Sequence, residues 1–335
     1  MTSNPTPSPR PGHRPGPRRT SSPPPSPECR VLSARGPDDL LAAVPVVLGF
    51  QPHDSAVMLT FGGAHPFHAR VDLPEPGDLA ALADLLLEPA VGHGVRSVVL
   101  VLYTADEVLA RRAAHVLERR FEACGLLVQA VLCADGERWW LPSGDRARAT
   151  PYDLSLHPFR VQSVVDGQVT HTSRDELAAT LDTEVEAAAV VAAAVPEARA
   201  FDAVDVAGCT AHHVACGTDL SDDELAGIAV AIEQPDVRDG AWTLITRASA
   251  RDHVRVWSDA VRRTPPDLLG GPAAVLAFSA WLAGHGALAW CAVDRAREVD
   301  PDNSLARLVA DLLSAAVPPT TWTDLHLDRD ERGVL

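Results

Sequence analysis

The chain has 335 residues, a formal net charge of −16 and a mean hydropathy of +0.01, so it can bury one large core or two ordinary ones. It contains no lysine, and every one of its 29 Lys+Arg residues is arginine. This excludes a Walker-type phosphate loop, a kinase strand lysine, a Schiff base and a pyridoxal phosphate enzyme, each of which needs an ammonium group.

The acidic balance also argues against a nucleic-acid or anionic-membrane partner, because phosphates must be met by a basic patch on the folded part. Residues 1–28 are rich in proline and arginine and poor in apolar side chains. Such a segment buries too little to offset its ordering entropy, which predicts a disordered tail. It has no apolar run of the signal-peptide kind, and nowhere do about eighteen uncharged apolar residues follow one another. A cytoplasmic protein is expected. The six cysteines are irregularly spaced and read as reduced thiols.

Asp38 and Asp39 open an apolar run whose acidic start suits a helix N-terminus. Gly49 can close that helix, Pro52 and Asp54 make a turn, and Pro45 predicts a kink or a break inside it. The stretch Leu40–Ser55, running into the apolar strand Ala56–Phe61, resembles the opening of an uncharacterised actinobacterial family, domain of unknown function 4192. The resemblance implies an architecture and neither a substrate nor a mechanism.

Ala56–Phe61 and Phe67–Leu73 read as antiparallel strands around a glycine turn. Leu79, Leu82, Leu85, Leu86 and Val91 recur at helical spacing. Ser97–Tyr103 is apolar on both alternating faces, the pattern of a central strand. Thr104-Ala105-Asp106-Glu107 reads as a capping box opening a helix that ends near Gly125, and Leu126–Cys133 follows as a strand. Asp135-Gly136 then turns into Arg138–Leu141. The predicted fold is an α/β N-terminal domain over 29–141, a mixed sheet with a parallel βαβ unit and flanking helices, followed by a mostly α-helical C-terminal region.

Residues 142–172 read as a connecting loop with room for extra strands. Members of the resembled family often carry a cysteine-containing loop here, and this chain has none. Helices are expected over 173–317, two of them opened by the capping boxes Ser173–Glu176 and Ser221–Glu224. Near 273–316, Ala289, Val293, Ala296 and Pro301 match the back half of a tetratricopeptide-type repeat, whereas Ala273, Ala277 and Ala280 fail its front half. The match allows a peptide groove; the lack of a second copy points to ordinary helix packing. Residues 318–335 read as a C-terminal extension.

Ligands of open parallel sheets collect outside the carboxyl ends of the strands. Those ends present Tyr103, Thr104 and Asp106, then Cys133 and Asp135, with Asp54 and Ser55 from the opening segment. Carboxylates and hydroxyls together can hold a cation or do acid/base work. Each also has a structural use, in a cap or a turn. Trp139 and Trp140 are adjacent on a strand, so they point to opposite faces, and an exposed one is a candidate partner anchor.

Cys209, His213 and Cys216 would share one helix face and are good zinc donors, although their spacing is that of no standard zinc module. No cofactor is predicted, with zinc at this cluster the one alternative weighed. Nucleophile-elbow, zinc-protease and dinucleotide-binding motifs are missing. The sequence is therefore read as a cytoplasmic, non-catalytic binding or regulatory protein acting through protein–protein contacts, with no nucleic acid or membrane. The rival is a small-molecule enzyme, a hydrolase among the options, using the acidic strand-end residues.

Overall fold

The computed structural model describes residues 34–63, 67–74 and 78–322; the predicted tail and residues 323–335 lie outside them. The first helix, α1 (Pro37–Leu48), carries Pro37 in its first turn, where a missing N–H costs nothing. Pro45 does not break it into two pieces. The proline lies near the C-terminus and is buried with Leu41, Ala42, Ala43 and Val44, so packing holds the helix through the lost ladder bond. Gly49, at φ 80°, closes the helix by donating its N–H to the Pro45 carbonyl.

Strands β1 (Ser55–Phe61) and β2 (His68–Asp72) precede helix α2 (Leu79–Gly92), strand β3 (Ser97–Tyr103), helix α3 (Glu107–Ala123) and strand β4 (Leu127–Ala134). Two short strands, β5 (Arg138–Trp140) and β6 (Thr150–Pro151), complete a six-stranded sheet of order β2-β1-β3-β4-β5-β6. Only β3 and β4 are paired in parallel, joined by α3 as the expected βαβ unit. Every residue of β3 is buried. Alternation sends Ala56, Met58, Leu100 and Leu102 towards α2 and α3, and Val57, Leu59, Val99 and Val101 towards α1.

The α3 cap differs from expectation. Asp106, not Thr104, is the N-cap: its carboxylate accepts the N–H groups of Val108 and Leu109, while Thr104 Oγ1 accepts the Asp106 N–H. A carboxylate at 106 reaches two orphan amides, where the hydroxyl at 104 sits two residues too early.

The chain then becomes helical. Helices α4 (Pro158–Val165), α5 (Arg174–Ala179), α6 (Val185–Ala194), α7 (Ala203–Cys216) and α8 (Asp222–Ala231) lead to α9 (Pro235–Trp242) and α10 (Ala250–Arg263). The C-terminal set is α11 (Gly270–Leu282), α12 (Gly286–Val299) and α13 (Ser304–Ser314). Every residue of α11 is buried, so this helix is the centre of a core and not the wall of an open groove. Ser221 and Glu224 form the predicted reciprocal capping box of α8. At α5 only half of the box forms: Ser173 accepts the Glu176 N–H, but Glu176 turns to Thr172.

The sheet and the helices are stitched together. Phe50 sits in the helical core, and the backbone around it exchanges two 2.9 Å bonds with His171. Further on, His93 Nε2 lies 2.8 Å from the Ala315 carbonyl. Among the described residues, no helix is long and apolar enough to cross a membrane.

Candidate functional site

The topology does bring the strand-end residues to one edge. Because β1 runs antiparallel to β3, its first residue, Ser55, pairs with the last residue of β3, Tyr103, which in turn pairs with Ala134 beside Asp135. Their polar atoms, however, are largely spent on the backbone. Ser55 Oγ donates to the His53 carbonyl and accepts from Arg70 Nε at 2.8 Å. Asp106 caps α3, with Thr104 behind it. Asp135 accepts the amides of Glu137 and Arg138 and is bound by the Arg146 guanidinium at 2.5 Å. Burial opposes the Asp135 charge, but Arg146 and the two amides outweigh it and hold its pKa below the usual carboxylate range. Asp54 is exposed at φ 41°, a turn conformation that Asp tolerates.

Tyr103 stands apart. Its ring is 2% exposed and its hydroxyl has no hydrogen-bond partner among the described residues. Burial, and then the nearby Tyr152, push its pKa well above the ordinary value, so it stays a neutral phenol. Cys133 is likewise pushed up, to about 12, by burial and then by Glu107 and Glu118. It is a core thiol rather than a nucleophile.

Trp139 and Trp140 point to opposite faces, as the strand geometry requires. Trp140 is buried with Arg146 over its ring at 5.7 Å, and Trp139 is half-buried. Trp139 and Thr150 line two adjoining shallow hollows of about 480 and 350 Å³. The smaller is completed by the start of α1, from Arg35 to Asp39. Asp39 also reaches His157, the N-cap of α4, at 3.0 Å. Phe159 of α4 and Trp139 pack against the same buried cluster beneath α1. On the outer side of α4 Val161, Val164 and Val165 are exposed, as are Leu156 before the helix and Val169 after it.

The soft-ligand cluster differs from its sequence form by one member. Cys209 and His213 come together on α7, but Cys216 ends that helix exposed, its Sγ 3.8 Å from the ring of His212. The third group is Glu224 of α8, and the donor atoms of Cys209, His213 and Glu224 all lie within 4.8 Å of one another. His213 Nε2 is 3.1 Å from Glu224 Oε2, and its Nδ1 is 2.8 Å from Thr218 Oγ1. Burial, and then Glu224, push the Cys209 thiol up to about 11. Burial opposes the Glu224 charge, yet its bonds from Ser221 and the neighbouring His213 hold its pKa below the usual range.

Glu224 was legible only in part. Its capping box with Ser221 is a sequence signal, but its meeting with His213 depends on the αL turn at Gly217, which folds α8 back along the end of α7.

These features define a mixed α/β sheet fused to an all-helical core, with polar strand ends engaged in caps and turns. The chain belongs to the family described as Domain of unknown function (DUF4192), whose model matches residues 37–320. No curated protein and no solved structure gave a significant match.

Proposed function

We propose that this chain is a non-catalytic binding or regulatory protein of an actinobacterial cytoplasm, acting through protein–protein contact at α4 and the Trp139 hollow. One observation carries the reading: α4 turns an apolar stripe outward. Val161, Val164 and Val165 follow the i, i+3, i+4 spacing of a helix face, and Val164 and Val165 are 72% and 73% exposed. Leu156, just before the helix, is 85% exposed. Contiguous exposed apolar surface of this kind marks contact sites, unlike the single exposed Leu or Val normal on any surface. Trp139, with its rigid two-angle side chain, is the residue type that anchors interfaces. With a chain charge of −16, the complementary partner is a protein with apolar anchors ringed by basic side chains.

The rival enzyme reading has less to stand on. Of its three carboxylates, Asp106 and Asp135 are held by backbone amides, and Asp54 faces solvent in a turn.

The test is affinity capture with the wild-type chain and with a Val164→Glu/Val165→Glu variant. Both sites are exposed, so the variant should melt within about 0.5 kcal/mol of wild type. Wild type is expected to retain a specific protein that the variant loses. Equal capture by both, or no specific capture alongside a monomeric mass, overturns the proposal.

A further inference from the structure

We propose that Cys209, His213 and Glu224 form a zinc site that clamps the end of α7 to the start of α8, with a fourth coordination position left to water. The donor set is the first argument. A thiolate, an imidazole and a carboxylate are all established zinc ligands, and three protein donors plus a water complete a tetrahedron. The two anionic donors would exactly balance the dication, which matters in a partly buried pocket.

Geometry is the second argument. Tetrahedral bonds of zinc length place neighbouring donor atoms about 3.3–3.6 Å apart. His213 Nε2 and Glu224 Oε2 are already 3.1 Å apart, and the widest separation in the triad is 4.8 Å at most. Closing it takes a movement of the donor atoms of about 1 Å.

The shell behind the donors is the third. His213 is 9% exposed, and its other ring nitrogen meets Thr218 Oγ1. A hydroxyl can accept from Nδ1–H as readily as it donates to Nδ1, so Nε2, now 3.1 Å from Glu224 Oε2, can carry the lone pair a metal needs. Glu224 Oε2 is oriented by both the N–H and the hydroxyl of Ser221, at 2.9 and 2.7 Å. The turn carrying Thr218 is itself fixed, since Arg255 donates to the Thr218 carbonyl at 3.0 Å and to the His213 carbonyl at 3.3 Å. The Cys209 thiol hydrogen-bonds the Glu224 carboxylate that also meets His213, so the three donors already converge on one point.

The full-length protein, purified without chelator, should contain about one zinc per chain by elemental analysis. After exchange into cobalt(II), it should show a thiolate-to-cobalt charge-transfer band and the intense visible bands of a tetrahedral site. Cys209→Ser should lose the charge-transfer band while keeping the wild-type circular dichroism spectrum in its metal-free form. Thr218→Val, which touches no metal, should weaken binding about 10- to 100-fold. Cys216→Ser should behave as wild type. The proposal falls if wild type takes up neither metal, or if the band survives Cys209→Ser, or if it vanishes in Cys216→Ser, which would move the site to the exposed His212–Cys216 pair. Should the metal-free Cys209→Ser chain fail to fold, Thr218→Val with unchanged affinity overturns it instead.

Discussion

The strand ends of the sheet and the α7–α8 junction both gather polar side chains, but they do so for opposite reasons. At the strand ends, topology does the gathering: Ser55, Thr104, Asp106 and Asp135 arrive together because strands and turns finish there, and each bonds the backbone beside it. At α7–α8 the functional atoms of Cys209, His213 and Glu224 face one another, while Thr218 and Ser221 support them from behind. Proximity in a fold is thus weak evidence of chemistry. The direction in which each side chain is satisfied is a better guide.

The largest expected effect is acid sensitivity, which the helices share with His68 of β2, a histidine whose pKa burial likewise lowers to about 4. His253 on α10 is 7% exposed, its Nδ1 has no partner among the described residues, and burial lowers its pKa to about 4 against an opposing effect of Asp252. Its folded pKa is below the ordinary 6.5, so the unfolded chain binds the proton first as pH falls. Stability attributable to this group is complete above pH 6.5 and is lost progressively down to about pH 4. The gap corresponds to about 3 kcal/mol. Denaturant melts across that window should flatten in His253→Leu; an unchanged pH slope would show that the ring is solvated.

A second test acts at the strand ends. Asp106→Ala removes both capping bonds of α3 and should cost about 1 kcal/mol in a urea melt. It should leave cobalt binding untouched. A loss of any measured activity at constant stability would instead revive the enzyme reading.

The smallest effect belongs to Tyr103. Replacing it with Phe deletes a buried hydroxyl that has no partner among the described residues, so stability should hold or rise by up to about 1 kcal/mol. A clear drop in the melting midpoint would mean that the hydroxyl is hydrogen-bonded in solution and would sharpen interest in the strand ends.

Much of the fold was legible because local rules and burial agreed. Ser97–Tyr103 reads as a doubly covered strand and is one, Gly49 ends α1, and the two tryptophans divide between faces. Where a local rule met a competing interaction, the reading slipped. Asp106 displaced Thr104 from the cap because a carboxylate two residues on reaches the amides better. Pro45 failed to break a helix whose buried flank outweighs one missing bond. The site was less legible still. Helix α4 lies in the stretch that reads as a connecting loop, and whether its valines face a core or solvent depends on where α1 lies; the pairing of His213 with Glu224 depends on a turn between helices.

The 2.8 Å bond from His93 to the Ala315 carbonyl joins residues 222 positions apart in sequence. On a ribosome that extends the chain at about 5–20 residues per second, the N-terminal sheet waits many seconds for this contact and for the helical core that receives Phe50. Until then one side of the α1–β1 corner has nothing to pack against. The nascent sheet is therefore the stage at which this chain is most open to chaperones and to misassociation, and its last turns of helix complete a structure begun at its first strand.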